Sequence, residues 1–277
     1  MSAIAGDDSR LVTAAGPDVT VRDPAAGTPV RVRTGHTAPV TSLVVAHDGT
    51  WAASGASGSL RVWDTGSGVD LRTLFGSRGP AAVTPDGLSV AAATDDGTAG
   101  LWEVSTGRRT QTFTGAPGTV TAITLLPGRP TAPPRVITGT DRGALALWDP
   151  VSGARIRTFS GRGPTVEAVA AAGDGRWLAS ATADGVVCLW DPETGLSLRS
   201  LDLPADGGAT SLAASPDSRH LATTGQDATL RIWETATGDC AACVRVEAPL
   251  RACEWHSDGS SVTAVGTGGL FAFAFHA

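Results

Sequence analysis

Residues 210–246 read TSLAASPDSRHLATTGQDATLRIWETATGDCAACVRV, and the way this stretch divides decides the fold. Thr210-Ser211-Leu212-Ala213-Ala214 is a short apolar run with strand character. Ser215-Pro216-Asp217-Ser218 is a turn, because proline presets φ and the aspartate can accept from its own backbone two residues on. Leu221-Ala222-Thr223-Thr224 forms a second strand, and Gly225-Gln226-Asp227-Ala228 a second turn. Thr229-Leu230-Arg231-Ile232-Trp233 alternates apolar with polar residues, the period of a half-buried strand. Thr237-Gly238 turns the chain again before a weaker fourth strand, Cys243-Val244-Arg245-Val246. Four such strands make one antiparallel meander. A lone meander cannot bury its faces, so it needs stacked neighbours.

Those neighbours are in the chain. A tryptophan followed by an acid closes a short apolar run at Trp63-Asp64, Trp102-Glu103, Trp148-Asp149, Trp190-Asp191 and Trp233-Glu234, at intervals of 39, 46, 42 and 43 residues. A period of this size means an array of one supersecondary unit. The longest interval carries an inserted turn, Gly128 to Pro134. Two further units are degraded: Val19-Thr20-Val21-Arg22-Asp23 puts Arg22 where Trp is expected, and Leu270-Phe271-Ala272-Phe273 puts Phe273 there. Seven units result, and the expected fold is all-β, a seven-bladed β-propeller of four-stranded antiparallel blades. Propellers grow by repetition, so the chain is read as one domain with blades at about 1–33, 34–75, 76–114, 115–160, 161–202, 203–247 and 248–277.

The Trp-acid pairs and Asp-Gly turns resemble the WD-repeat β-propeller family over essentially the whole chain. In a full repeat of that family a His from a Gly-His pair, a second-strand Ser or Thr, a turn Asp and the Trp form a buried hydrogen-bonded set; no unit of this chain holds all four, so the fold is expected to rest on packing more than on polar networks. The turn Asp is matched by Asp96, Asp184 and Asp227, each six residues before its Trp, and the hydroxyl by Thr138, Ser180 and Thr223. Gly-His occurs at Gly35-His36, in a unit with Ser57 at the Asp position. The family's last blade is usually completed by the N-terminal segment. Here the chain opens almost directly on an inner strand, Ser2-Ala3-Ile4-Ala5, and no residues are left for the seventh unit's fourth strand. The last blade is therefore expected to be three-stranded. Truncation from a longer multidomain protein, a clasp from another chain (with a strand-exchanged dimer as its self-paired form) and a tolerated edge are the alternatives.

A net charge of −6 with no basic run argues against a nucleic-acid groove. All 21 Lys-or-Arg positions are Arg, and Lys, Asn and Tyr are absent, a bias of GC-rich genomes that points to a bacterial, actinobacterial source. The first eight residues lack the charge and apolar core of a signal peptide, and no apolar run reaches the roughly 18 residues of a membrane span. A cytoplasmic monomer without membrane contact is the expectation.

Candidates for chemistry are sparse. Cys240-Ala241-Ala242-Cys243 lacks the second pair a zinc site uses, and it sits on a strand where a redox motif wants a helix N-terminus. Cys188 and Cys253 read as small buried hydrophobes. The five His residues show no ligand spacing. Neither a metal nor a cofactor is expected. On the inner strands, whose positions are mostly small, Glu254 stands where Val44 and Ala213 stand elsewhere, and Arg251 precedes it; this is the candidate for a channel site binding a small ligand or supporting catalysis. Trp63, Trp102, Trp148, Trp190 and Trp233 are structural, and Trp51, Trp177 and Trp255 are read as packing. The resemblance implies that partners meet the face carrying the fourth-to-first-strand connections and second-to-third-strand turns. That face would display His36, Arg78, Asp95, Asp141, Arg142, Arg162 and Gln226. Mixed charge there suits a protein or peptide partner. The expected function is a non-catalytic interaction scaffold.

Overall fold

The computed structural model describes residues 2–4, 8–23, 28–33, 35–56, 58–129, 133–159, 163–204 and 208–275, without the side chains of residues 2–4 and 78. The fold is the expected one: an all-β, seven-bladed propeller with six four-stranded antiparallel blades and a three-stranded last blade. The chain divides into two compact units, residues 1–114 and 115–277.

The first unit holds three blades. Blade one is Ser2–Ile4, Leu11–Ala15, Asp18–Arg22 and Pro29–Arg33. Blade two is Ser42–Val45, Trp51–Ala56, Ser59–Asp64 and Asp70–Phe75. Blade three is Ser77–Val83, Ser89–Thr94, Ala99–Glu103 and Arg109–Phe113. The second unit holds four. Blade four is Val120–Leu126, Arg135–Thr140, Leu145–Trp148 and Arg155–Phe159, and blade five is Val166–Ala171, Leu178–Thr182, Val186–Trp190 and Ser197–Asp202. Blade six is Ala209–Ala214, His220–Gly225, Thr229–Glu234 and Cys240–Arg245, its fourth strand starting earlier than the sequence suggests. Blade seven is Leu250–Trp255, Ser261–Gly266 and Gly269–Ala274.

Strand register defines one repeated slot. Trp63 lies opposite Ala52, Trp102 opposite Val90, Trp148 opposite Val136, Trp190 opposite Leu178 and Trp233 opposite Leu221. Arg22 takes the same place opposite Leu11, and Phe273 opposite Val262, so both degraded units are true copies. In blades one to six the register against the fourth strand shifts at this slot, a β-bulge that bends the chain into the next turn.

Packing explains why the slot prefers tryptophan. Within the first unit, Trp63 closes a cluster with Val12, Val19 and Val21 of blade one, and Trp102 closes one with Leu60, Val62 and Leu74 of blade two. Within the second, Trp190 packs on Leu145, Leu147 and Phe159, Trp233 on Val187, Leu189 and Leu201, and Phe273 on Leu230 and Ile232. Each slot residue thus fills the outer half of the blade before it. An indole buries about 200 Å² at roughly 25 cal/mol per Å², about 5 kcal/mol of transfer free energy as an upper bound. Trp51, Trp177 and Trp255 are buried too, as expected of packing residues. Two of them tie neighbouring blades: Trp177 Nε1 donates to Ser218 O at 2.9 Å, and Trp255 Nε1 to Ala213 O at 3.2 Å.

Candidate interaction surface

The slot carries one hydrogen bond as well as packing. Trp148 Nε1 donates to Thr138 Oγ1 at 2.8 Å, Trp190 to Ser180 at 2.9 Å and Trp233 to Thr223 at 3.0 Å, the three hydroxyls the sequence points to. Two more were not singled out. Trp63 Nε1 donates to Ser54 Oγ at 3.3 Å, and in blade one Arg22 Nε donates to Thr13 Oγ1 at 3.1 Å, so the arginine reproduces the indole's bond. Blade seven has Phe273, with no donor, and Ala264 at the hydroxyl position. Blade three is the mismatch, with Ala92 two residues beyond the partner of Trp102.

The acids have a separate role. Asp64 Oδ1 accepts from Ser67 N at 2.6 Å, Asp149 Oδ1 from Val151 N at 2.8 Å and Asp191 Oδ1 from Glu193 N at 2.7 Å, capping the turn into the fourth strand. Turn hydrogen bonds hold Asp64 and Asp149 below the usual carboxylate range; at Asp191 burial opposes them and they still prevail. The sequence leaves no blade with the full set, and the turn aspartates Asp96, Asp184 and Asp227 bond locally. Each serves its own turn: Asp96 accepts from Thr98 N at 3.0 Å, Asp184 from Thr182 Oγ1 at 2.6 Å, and Asp227 from Thr229 Oγ1 at 2.7 Å and Arg231 Nη2 at 2.8 Å. The hydroxyls of Thr94 and Thr98 lower the Asp96 pKa to about 2.

A further repeated device was not read from the sequence. Nine residues after the slot, an arginine on the fourth strand reaches a carbonyl in the next blade's third-to-fourth-strand turn: Arg72 Nη2 to Ser105 O at 2.9 Å, Arg157 Nη1 to Thr194 O at 2.9 Å and Arg199 Nη1 to Thr237 O at 2.6 Å. The glycines of those turns, Gly107, Gly195 and Gly238, have φ of 70°, 76° and 85°, and the arginine stems lie against them. A β-carbon at Gly238 would sit 2.5 Å from Arg199 Cδ, so backbone conformation and close approach both demand glycine there.

The loop residues expected to meet a partner have varied environments. His36 Nε2 is 2.7 Å from Ser54 Oγ, completing a His36–Ser54–Trp63 chain; Ser57, at the Asp position, lies outside the described residues. Burial first, then the charges of Arg61 and Arg33, lower the His36 pKa and favour neutral imidazole. Asp95 is exposed on the turn of blade three. Asp141 is exposed, yet its carboxylate accepts Thr119 N at 2.8 Å, while Arg142 and Gln226 are exposed. Arg162 lies outside the described residues, and Arg78 is described only by its backbone in the first strand of blade three.

On the inner strand of blade seven, Glu254 lies opposite Thr263, where the equivalent places in blades five and six pair Ala170 with Ala179 and Ala213 with Ala222. Its carboxyl is desolvated, and burial alone pushes its pKa up to about 7. Arg251 is exposed and contributes nothing to that shift, so the structure does not pair the two. Cys253 is fully buried, and its thiol is pushed up to about 12 by burial first and then by Glu254. Cys188 differs from expectation in being only half-buried, because its strand position faces a cavity of about 250 Å³ shared with Ser180 and Asp184. Cys240 and Cys243 are exposed and free, and among the described residues no three His, Cys, Asp or Glu side chains are grouped as metal ligands.

A cavity of about 710 Å³ lies at the other end of the blades, between the first-to-second-strand turns of blades five and six. Asp174, Arg176, Asp217, Arg219 and Glu234 line it together with buried Trp177 and half-buried His220. His220 stacks edge-on against Phe275 at 5.0 Å. Asp217 titrates below the usual carboxylate range: burial opposes this, and Ser215, the Arg219 amide and the His220 and Arg219 charges outweigh it. The signal for this groove was the Ser-Pro-Asp-Ser turn itself, which the sequence reading used only to end a strand.

A slot repeated in seven antiparallel sheets, with hydrogen bonding that follows the identity of its occupant, defines a repeat-built β-propeller. The WD domain, G-beta repeat family (WD40) matches residues 27–64, 153–191 and 197–234, each match ending one residue past a slot tryptophan. The chain is thus a seven-bladed β-propeller that carries WD40 repeats in three places, and WD40 propellers typically serve as protein-interaction scaffolds. Autophagy-related protein 16 of Arabidopsis thaliana is 39% identical over 80 residues, which is 28% of this chain and 16% of that protein. The match thus spans well under a fifth of the relative's length.

Proposed function

We propose that this chain is a non-catalytic scaffold in the cytoplasm, monomeric, that binds a protein or peptide partner through loops at the end of the blades carrying the second-to-third-strand turns. One observation carries the reading: the repeated residues are satisfied internally, whereas Asp95, Arg142 and Gln226 stand exposed on turns anchored by rigid sheets. Four free thiols support a reducing compartment. The partner is a segment with charges of both signs, steered by the mixed Arg and Asp of the turns. The test is a charge reversal, Arg142→Glu combined with Gln226→Arg, on turns whose side chains bear no load in the fold. Partner proteins retained from host extract by the parent chain should be lost by the variant at unchanged thermal midpoint. Retention of the same proteins by both would refute this surface.

A second reading places a small ligand at Glu254, and the raised carboxyl pKa is the observation in its favour. It requires a ligand whose binding Glu254→Gln abolishes; Glu167, the acid on the inner strands of blades four to six, is exposed and adds nothing to the Glu254 shift.

A further inference from the structure

The Cys240-Ala241-Ala242-Cys243 motif lies outside the interaction surface, and the register of blade six gives it a geometry that its sequence hides. Side chains on a regular strand alternate between faces, so residues three apart point to opposite sides. Here the ladder slips. Trp233 lies opposite Cys240 and Arg231 opposite Cys243, with the shift falling between Ile232 and Trp233, so Ala241 is the extra residue of a bulge. Residues directly opposite each other share a face, and Trp233 and Arg231 are two apart on their strand. Both thiols therefore stand on the face that carries the tryptophan.

Neighbouring blades mark the same face. Arg109 and Arg155 hold the place of Cys240 in blades three and four, opposite Trp102 and Trp148, and each sets its guanidinium 6.0 Å from that indole's centroid. Ser200 holds the place of Cys243 in blade five, opposite Cys188; burial raises the Cys188 thiol, and a hydrogen bond from the Ser200 hydroxyl opposes it. In blade six the two thiols sense each other. Partial burial first, and then the charge of Cys243, raise the Cys240 pKa, while the Arg231 guanidinium pulls it down. Cys240 Sγ leans over the bulge to donate to Ala242 O at 3.3 Å. Both cysteines are exposed and free.

Distance decides what two such thiols can hold. Same-face neighbours on a strand stand about 6.7 Å apart, whereas a disulfide needs β-carbons about 3.8 Å apart, so that bond would drag the strand out of register. A metal–thiolate bond is about 2.3 Å long, so a cation held between two sulfurs sets them about 4.6 Å apart, within reach of side chains that each lean in by about 1 Å. Zinc takes four ligands, and among the described residues no third His, Cys, Asp or Glu joins the pair. A soft cation that favours thiolate and accepts two ligands is Cu(I).

We infer that Cys240 and Cys243 form a two-coordinate site for Cu(I) on the outer strand of blade six. Binding forms two Cu–S bonds and releases the two thiol protons, with no change of oxidation state. Arg231 places a positive charge beside the anionic bis-thiolate that results. The site is on a fourth strand and not on the second-to-third-strand turns proposed to meet a partner, so either can fail without the other.

The test uses the full chain with its thiols reduced, titrated anaerobically with Cu(I) against bicinchoninate, a chromogenic Cu(I) chelator. One Cu(I) should bind per chain. Cys240→Ser and Cys243→Ser should each weaken binding at least about hundredfold, the gain expected from joining two binding groups on one scaffold. Blade five carries Ser197 and Ser200 at these two places, so serine suits the strand and the copper-free thermal midpoint should not change. Cys188→Ser should leave the affinity as it is. Ala242→Cys combined with Cys243→Ser keeps two thiols closer in sequence but on opposite faces, since Ala242 lies opposite Ile232, and should bind as weakly as Cys243→Ser alone. Binding within about threefold of the parent by either serine variant, or by the Ala242→Cys combination, overturns the inference, because the thiols would then act singly or without regard to face. A Cu(I)-dependent dimer in light scattering also overturns it, since the cation would then bridge two chains.

Discussion

Glu254→Gln should make the protein more stable, and only above a defined pH. The carboxyl belongs to an inner strand, and burial raises its pKa from the ordinary 4.5 to about 7. A folded pKa above the unfolded one means that the unfolded chain gives up this proton first. Between about pH 4.5 and 7 the native state therefore binds more protons, and stability falls as pH rises through that window. The penalty is absent below it and complete above it. At about 1.4 kcal/mol per pH unit the shift sets a ceiling of about 3 kcal/mol, and because the side chain is partly exposed a realistic value is about 2 kcal/mol. Glutamine keeps the shape without the charge. Urea unfolding of both proteins across pH 4.5 to 8.5 should give curves that coincide at the acid end and separate by about 2 kcal/mol at the alkaline end, glutamine uppermost. A difference independent of pH, or one that grows toward acid, would refute the claim that this carboxylate is desolvated.

The slot hydrogen bond should be worth measuring singly: Ser180→Ala leaves the buried Trp190 N–H without its acceptor, and chemical denaturation should show a loss of about 1–3 kcal/mol. Gly238→Ala should cost more than Gly76→Ala, because both have positive φ but only Gly238 has an arginine stem 2.5 Å from the added carbon. Combining it with Arg199→Ala should restore part of the loss; strict additivity in that cycle would show that the stem does not crowd the turn. Phe273 borders an apolar cavity of about 30 Å³ lined by Val244 and Ile232, which suggests room for part of an indole. Phe273→Trp alone should gain little, since Ala264 offers no acceptor, and adding Ala264→Ser should yield a favourable coupling of about 1 kcal/mol in thermal unfolding.

Much of the architecture was legible because tryptophan, the acid after it and the period-two strands recur within one unit's length. Arg22 and Phe273 could be placed in the slot from spacing alone, and register put both there. Thr138, Ser180 and Thr223 were legible for the same reason. Thr13 and Ser54 occupy the same register in blades whose motif is broken by Arg22 and by Ser57. Asp96, Asp184 and Asp227 mark their turns in the sequence, and in the structure they bond within them. An aspartate two residues from a threonine or backbone donor satisfies itself locally, and this near contact wins over a distant buried one. The arginine clamps and the groove at Trp177 join residues 33 to 41 apart, on different blades. A strand-by-strand reading follows one chain direction and does not see across blades.

The clamps also bear on where a partner can act. Arg72, Arg157 and Arg199 each bind a turn of the following blade, and all three lie on fourth strands whose residues one place earlier, Leu71, Ile156 and Leu198, are exposed apolar side chains. The arginine thus secures the outer strand from one side while its neighbour stays free on the other. Blade six has Ala242 at the clamp position, so its fourth strand lacks the link that fixes those of blades two, four and five, and its Val244, 40% exposed, takes the place of the fully buried Leu74, Phe159 and Leu201.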